Sequence, residues 1–237
     1  MNNAENSELQ AAAIQGPVLV IAAHPDDEVL GCGGTMALYA RRGVRVVVVI
    51  ATTGRAADAG GHWNAQNSYT RNAMEALGVR DVRFLGFPDQ GLDTITLTEI
   101  ISPLEEMVAE VRPPLIFCQY GGDVNRDHSL LFEAVLVATR PTEEFIEAVY
   151  AFETSSSTEW AYPRSFVPDT WVEVSTTLEA KLAAMACYQS ELREYPHPRS
   201  LGALRHKAAA RGNECCMRAA EVFMTVRRVH RNGRTPV

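Results

Sequence analysis

The chain has 237 residues, of which 46% are hydrophobic and 22% are charged, and its formal net charge is −7 at pH 7. This length and composition suit a compact domain with a core of its own and exclude a collagen, a coiled coil and a disordered chain. The acidic balance argues against a general binder of nucleic acid or anionic membranes, and no apolar run approaches the roughly 20 residues of a membrane span.

The first half of the sequence alternates short apolar runs with segments that can form helices. The apolar runs are continuous rather than alternating, which is typical of parallel strands covered on both faces. This order of segments predicts an α/β domain with right-handed crossovers. The predicted strands are 18–23, 44–51, 82–87 and 115–120, and the predicted helices between them are 29–42, 68–77 and 98–111.

The second half continues with strands and helices and shows no linker or internal repeat. We predict one domain over residues 17–230, with a frayed lead-in over 1–16 and a tail over 231–237. The two prolines of segment 194–199 exclude a helix there. The predicted elements are a helix over 127–139, strands over 148–153 and 170–174, and helices over 177–192 and 200–226.

The cysteines and the first residues both bear on the location of the protein. The five cysteines are odd in number and form no C-x-x-C pair, as is typical of a reducing compartment. The lead-in lacks the basic start and the apolar stretch of a secretory signal. We therefore expect a cytoplasmic protein.

Side chains that can bind a metal follow the first predicted strand. His24 and Asp27 are three residues apart around Pro25, so both can reach one cation. His128 follows the fourth predicted strand, and the carboxyl ends of parallel strands meet at one edge of a sheet. Two histidines and a carboxylate with an open position are typical of catalytic zinc, although they also hold Fe(II) in oxygenases. We favour zinc over iron because those oxygenases mostly have all-β scaffolds.

Helix capping is the simpler interpretation of the acids in this segment, since Asp26 or Asp27 could cap the helix that follows. Capping accounts for one or two acids but not for the preceding histidine and proline, so we favour the metal site. Asp26 is then the acid of this segment that does not bind the metal. It is placed to take a proton from metal-bound water, whose pKa zinc lowers to about 7. Asp127 and Glu28 are candidates for supporting the ligands from behind.

This combination of groups suits the hydrolysis of an amide or an ester. A nucleotide-binding oxidoreductase would carry G-x-G-x-x-G after the first strand, where this sequence has His-Pro-Asp-Asp-Glu. A serine hydrolase would carry a motif such as G-x-S-x-G, which the sequence lacks. These residues thus indicate the type of reaction but not the substrate.

The string Ala-His-Pro-Asp-Asp-Glu at 23–28, with Asp-His at 127–128, resembles the LmbE-like (PIG-L) family of zinc-dependent N-deacetylases. Residues 84–89 (Phe-Leu-Gly-Phe-Pro-Asp) are similar to the family's Leu-Gly-Tyr-Pro-Asp pattern, and the likeness covers about residues 17–140. It implies a Rossmann-like α/β fold and removal of acetyl from an N-acetylated amino sugar or its conjugate. The zinc ligands that it implies are His24, Asp27 and His128, with Asp26 as the general base.

The sequence departs from the family pattern at two positions. Relatives often carry a histidine where Asn125 stands, and asparagine can donate a hydrogen bond to an oxyanion but cannot deliver a proton. The acid for the leaving amine is then the protonated Asp26 or another histidine, for which His197 is the candidate. Many relatives have a substrate-binding arginine near the position of Gln66, and Arg71, a turn or more later, is the candidate substitute. Asp89 aligns with an acid that contacts sugar hydroxyls, although turn chemistry explains it equally well.

Two other functions are compatible with the sequence: a sugar or nucleotide-sugar binding protein that retains a metal site, and a metal-dependent amidase for a non-sugar amide. The expected partner is a small N-acetylated sugar or glycoconjugate rather than nucleic acid. We also expect a homo-oligomer, because the long C-terminal helices offer apolar surface. The glycine-rich segment 58–64, with His62 and Trp63, is either a lid or an exposed loop.

Overall fold

The computed structural model describes residues 16–53 and 63–231, apart from the side chains of residues 63–67. The predicted tail beyond residue 231, the lead-in up to residue 15 and the predicted lid, with His62 and the Trp63 side chain, lie outside this description. The strands are β1 (Val18–Ala22), β2 (Val46–Thr52), β3 (Asp81–Phe87), β4 (Leu115–Gln119), β5 (Ala148–Phe152), β6 (Thr170–Glu173) and β7 (Ala220–Arg228). The α-helices are α1 (Asp27–Arg41), α2 (Trp63–Leu77), α3 (Leu97–Val111), α4 (Arg126–Ala138), α5 (Leu178–Cys187) and α6 (Leu201–Asn213).

The seven strands form one sheet in the order β3-β2-β1-β4-β5-β7-β6. The five strands from β3 to β5 are parallel, whereas β7 runs antiparallel to both β5 and β6. β1 lies at the centre between β2 and β4, so the segments after β1 and β4 emerge side by side at the carboxyl edge. The predicted α/β class with a mostly parallel sheet is confirmed.

Helices cover both faces of the sheet, as the continuous apolar strands predict. Along β1, Val18 and Val20 pack in the cluster that contains α1, α2 and α5, whereas Leu19 and Ile21 pack in the cluster with α3 and α4. All four side chains are completely buried. In the described ranges, no helix combines the length and the apolar composition that crossing a bilayer requires.

The structure corrects the predicted helix over 200–226. Helix α6 ends at Asn213, the chain turns through Cys216 at φ +58°, and residues 220–228 form strand β7. Alanine, glutamate and arginine favoured a helix there, but Phe223 pairs with Phe152 of β5 and is fully buried. Pairing and burial thus outweigh the helix propensity of a short segment. The long C-terminal helix that suggested a surface for assembly is two different elements.

Candidate metal centre

The turn between β1 and α1 presents the first two predicted ligands. Its start is fixed at the central strands, since Ala23 N donates to the buried Gln119 Oε1 at 2.7 Å. The turn closes where His24 N donates to Asp27 Oδ2 at 2.9 Å. Asp26 takes φ +118°, a backbone conformation that residues other than glycine rarely adopt and that is found most often at functional sites.

Three ligand atoms from the two edge segments meet at one point. His24 Nδ1 lies 3.1 Å from Asp27 Oδ2 and 3.1 Å from His128 Nε2, and the last two atoms are 3.3 Å apart. Ligands about 2.0–2.1 Å from a tetrahedral zinc ion would be separated by about 3.3 Å, so the triangle has the size of one face of such a site. The three residues are therefore able to hold one divalent ion with a position left open.

A second carboxylate lies behind each histidine. His24 Nε2 is 3.1 Å from Asp127 Oδ2, and Asp127 Oδ1 accepts from Leu92 N at 3.1 Å. His128 Nδ1 is 3.1 Å from Asp123 Oδ2, an ion-pair contact rather than a well-aligned hydrogen bond. Each ring thereby directs its other nitrogen towards the shared point, as is usual for metal-binding histidines.

Asp26 lies beside the triangle and is only 4% exposed. It occupies the position before helix α1, yet its side chain makes no capping hydrogen bond, so capping does not account for this residue. Its Oδ2 is 3.3 Å from Arg199 Nη1. Glu28 stabilises the turn by two hydrogen bonds: its Oε2 accepts from Asp26 N at 3.1 Å, and its Oε1 accepts from the Tyr188 hydroxyl.

Burial and neighbouring charge determine the ionisation of these groups. Burial lowers the pKa of both histidines, but carboxylates outweigh it: Asp127 and Asp27 raise the pKa of His24 to about 10, and Asp27 and Asp123 raise that of His128 to about 9. Burial raises the pKa of Asp27, but the charge of His128 outweighs burial and brings it well below its usual value. Burial, followed by the charge of Asp27, raises the pKa of Asp26.

These pKa directions predict that metal binding competes with protons. His24 Nδ1 lies 3.1 Å from His128 Nε2, a separation with room for only one proton between the two rings, so the raised pKa values correspond to one extra proton on the pair in this arrangement. A metal ion must displace that proton, and apparent affinity should therefore rise with pH, about tenfold per unit, until pH exceeds the raised histidine pKa values. Zinc titration calorimetry at pH 7, in buffers of different ionisation enthalpy, should show release of about one proton. Affinity independent of pH from 6 to 8 would contradict the prediction.

The triangle opens into a cavity of about 350 Å³, a volume within the range of small-molecule sites. On one side lie Asp89, Gln90 and Asn125, with Asp89 Oδ1 3.5 Å from His24 Nε2. Asn125 begins helix α4: its Oδ1 accepts from Asp127 N at 2.9 Å, and its Nδ2 donates to Gln90 Oε1 at 3.4 Å. Residues 154–157 form a row of hydroxyl groups elsewhere on the wall.

Two predicted residues lie away from this cavity. Arg71 is exposed on α2, with its guanidinium 5.6 Å from the centre of the Phe84 ring. His197 is not among the lining residues of the described chain; its ring contacts Trp160 edge-on at 6.0 Å, and its Nδ1 accepts from Arg199 N at 3.1 Å. The role of each stays a prediction.

Sequence reasoning missed several residues of the site. Arg199 lines the cavity and bridges Asp26 to Glu191, whose Oε2 is 2.8 Å from its Nη1. Asp123 contacts His128 from a loop whose conformation the sequence does not specify. A signal existed for Arg199, because the proline-rich turn that suggested His197 carries this arginine two residues later.

The fold and the site together define an α/β protein with three residues that could hold a metal ion at the carboxyl edge of a mostly parallel sheet. The family model described as "PIG-L: GlcNAc-PI de-N-acetylase" matches residues 19–139, about half of the chain, and the chain belongs to this family.

Relatives cover most of the chain. It is 30% identical to "Uncharacterized deacetylase YaiS" of Escherichia coli K12, over 78% of this chain and 97% of the relative. It is 29% identical to "Probable N-acetyl-alpha-D-glucosaminyl L-malate deacetylase 2" of Bacillus cereus, over 73% and 83%. The solved N,N'-diacetylchitobiose deacetylase from Pyrococcus horikoshii shares the fold, with a TM-score of 0.70, 20% identity, and coverage of 89% and 84%.

Proposed function

We propose that this protein is a metal-dependent hydrolase that removes the N-acetyl group from an N-acetylated amino sugar or its conjugate. The observation that carries the proposal is the buried Asp26 carboxylate beside three convergent ligand atoms at the wall of a polar cavity. Membership of the family and the deacetylase relatives support the same reaction.

His24, Asp27 and His128 would hold the metal ion, for which zinc is the first choice and ferrous iron the second. A divalent ion bound there supplies a Lewis acid for the amide carbonyl oxygen and lowers the pKa of water. Asp127 and Asp123 keep the two imidazole rings in the ligating orientation. The remaining chemistry belongs to the cavity side chains.

Asp26 is the proposed general base. Burial raises its pKa, which brings a carboxylate closer to the range in which it both accepts and returns a proton at neutral pH. It takes the proton of the attacking water at Oδ1, because Oδ2 faces Arg199, and the protonated Asp26 is the first of two proposed donors to the leaving amine. Asn125 Nδ2 is the proposed donor to the oxyanion, since its Oδ1 is already used to begin helix α4.

The polar walls suit a sugar ring. Asp89 and Gln90 offer acceptors and donors on one side, and the hydroxyl groups of Ser155 and Ser156 face the same cavity. Arg199 supplies a guanidinium at the wall that carries Asp26, and its buried Nε has no partner within the described chain. We propose that Arg199 fulfils the substrate-binding role for which the sequence suggested Arg71.

The direct test is a screen of N-acetylated sugars, nucleotide sugars and glycosides with zinc-loaded protein, read out as free amine. Release from an amino sugar but not from simple N-acetyl amino acids would support the proposal. Stoichiometric zinc with no release from any sugar would contradict it and would favour a sugar-binding protein. Release from non-sugar amides alone would indicate a different amidase.

His197 is the second proposed source of the proton for the leaving amine. For His197→Ala we expect turnover to fall about 100-fold with zinc content unchanged, since loss of a general acid costs 10²–10⁴-fold. Steady-state kinetics measure the turnover, and metal analysis measures the zinc content. His206→Ala, at an exposed histidine of α6, is the control. Unchanged turnover in His197→Ala would leave Asp26 as the donor.

We also propose that the protein works in the cytoplasm as a homo-oligomer. The described chain contains free cysteines, two of them exposed, which suits a reducing compartment. Light scattering after size exclusion would give the mass of the assembly, and a mass equal to the monomer would contradict this part of the proposal.

A further inference from the structure

Helix α1, which carries the ligand Asp27, is broken in its first half. Cys32 has φ −141° and ψ 25°, which no α-helix contains. In an unbroken helix the N–H of Gly34 would donate to the carbonyl of Leu30, four residues earlier. Here Gly34 N donates to Glu221 Oε1 at 2.8 Å, and Leu30 O accepts from Lys181 Nζ at 2.9 Å.

The two side chains that replace this bond are themselves an ion pair. Lys181 Nζ lies 2.6 Å from Glu221 Oε1, and the side chains are 6% and 3% exposed. The other oxygen of Glu221 accepts from Thr35 N at 2.7 Å and from Thr35 Oγ1 at 2.6 Å. A glutamate of β7 thus accepts from two successive backbone N–H groups of α1, and a lysine of α5 donates to the carbonyl of Leu30.

The break separates the turn of α1 that begins at the metal site from the rest of the helix. Asp27 and Glu28 lie before it and Met36 and Ala37 after it, and the buried cluster on this face of the sheet takes residues from both parts. The first part is also pressed onto strand β5: a Cβ at Gly31 would lie 2.1 Å from the ring of Phe152. The angle between the two parts therefore determines where the Asp27 carboxylate lies.

We propose that the Lys181–Glu221 ion pair acts as a wedge that keeps α1 broken at Cys32 and so positions Asp27 for metal binding. These are positioning residues, because neither is among the ligand group. The inference rests on the metal site of the proposed function. Stability alone does not explain the pair, since a buried ion pair can often be replaced by apolar side chains of similar volume without loss of stability.

The test replaces both members at once, because a single replacement leaves one buried charge unpaired. In Lys181→Met/Glu221→Met neither side chain can engage the freed backbone groups. Gly34 N should then donate to Leu30 O and Thr35 N to Gly31 O, which straightens the helix. We expect a melting temperature equal to or above that of the wild type, together with a zinc affinity at least about tenfold lower, as for loss of groups that orient ligands. A lower kcat with unchanged KM should accompany it.

A conservative variant separates the ion pair from the particular cation that forms it. In Lys181→Arg the guanidinium can still donate to Leu30 O and to Glu221, which keeps both of its acceptor oxygens, and we expect zinc affinity within about threefold of the wild type. Because this variant keeps polar partners at the break, it also serves if the first variant does not fold. Arg205→Met/Glu179→Met removes an exposed ion pair between α5 and α6 and is the control.

Wild-type zinc affinity in a folded Lys181→Met/Glu221→Met protein would overturn the inference, as would an equal loss in Lys181→Arg. Calorimetric zinc binding needs no substrate, so a protein that binds zinc but cleaves no sugar would contradict the proposed activity and leave the wedge intact. If the wild type binds no zinc, a crystal structure of the first variant still decides the matter: a Gly34 N to Leu30 O hydrogen bond supports the wedge, and an unchanged break contradicts it.

Discussion

Replacing Asp26 with asparagine is expected to abolish most turnover while the protein keeps its metal. Asparagine has nearly the same shape but cannot accept a proton, so the general base is lost while the ligand triangle stays intact. Loss of such a base costs 10²–10⁴-fold in rate. We therefore expect kcat for amine release to fall at least about 100-fold, with zinc content equal to that of the wild type.

The neighbouring charges make this variant informative. The Asp26 carboxylate is the partner of Arg199, whose other carboxylate partner, Glu191, remains in the variant. The cavity wall should therefore keep its arrangement. Asp93→Asn, at an exposed acid beyond the cavity, is the matched control and should leave kcat unchanged. Full activity in Asp26→Asn would remove Asp26 from the reaction.

Replacing His24 with alanine is expected to remove the metal itself. His24 contributes one corner of the ligand triangle, and even the loss of a group that only orients a ligand costs 10–100-fold in metal affinity. We expect zinc affinity to fall more than about 100-fold, and amine release to fall with it. Titration calorimetry and metal analysis after dialysis measure the two effects.

The same variant has a second consequence that helps to interpret it. Without the imidazole, the buried carboxylates of Asp27 and Asp127 lose a shared cationic neighbour, so stability at neutral pH should also decrease. His206→Ala removes an exposed imidazole and controls for the change of residue type. Unchanged zinc content in a folded His24→Ala protein would contradict the ligand assignment.

The convergence of His24, Asp27 and His128 was predictable from the sequence because strand ends determine their positions. His24 and Asp27 follow β1 and His128 follows β4, and these strands are neighbours in a parallel sheet. Two segments 100 residues apart are thereby brought to one edge without any long-range information beyond the strand pattern. Asp127 was predictable as a residue that supports the candidate ligands, because it precedes His128 in the chain and so lies at the same edge of the sheet.

Arg199 and Asp123 were not predictable in this way. Arg199 comes from a loop between α5 and α6, and its place beside Asp26 depends on how that loop crosses the sheet edge. Asp123 lies in the loop after β4, and its carboxylate accepts hydrogen bonds from Ser157 and Thr158, which are distant in sequence. Loop conformations set by such distant contacts leave no periodic pattern in the sequence.

The fold shows the same distinction. Strands β1 and β2 have apolar runs that are visible by themselves, whereas β7 has a mixed composition and is a strand because it pairs with β5 on one side and β6 on the other. The broken helix α1 is a further case. The sequence predicts one helix over 29–42, although Gly31, Gly33 and Gly34 lower the helix propensity around Cys32. The side chains that contact the freed backbone groups at the break, Lys181 and Glu221, lie far along the chain.

A crystal structure of the protein grown with zinc, located by anomalous scattering, tests the metal assignment most directly. We expect one ion within about 2.0–2.2 Å of His24 Nδ1, Asp27 Oδ2 and His128 Nε2, with Asp26 beside it but not bound to it. A zinc ion held by other residues, or these three side chains turned away from any common ion, would contradict the assignment and the proposed reaction with it.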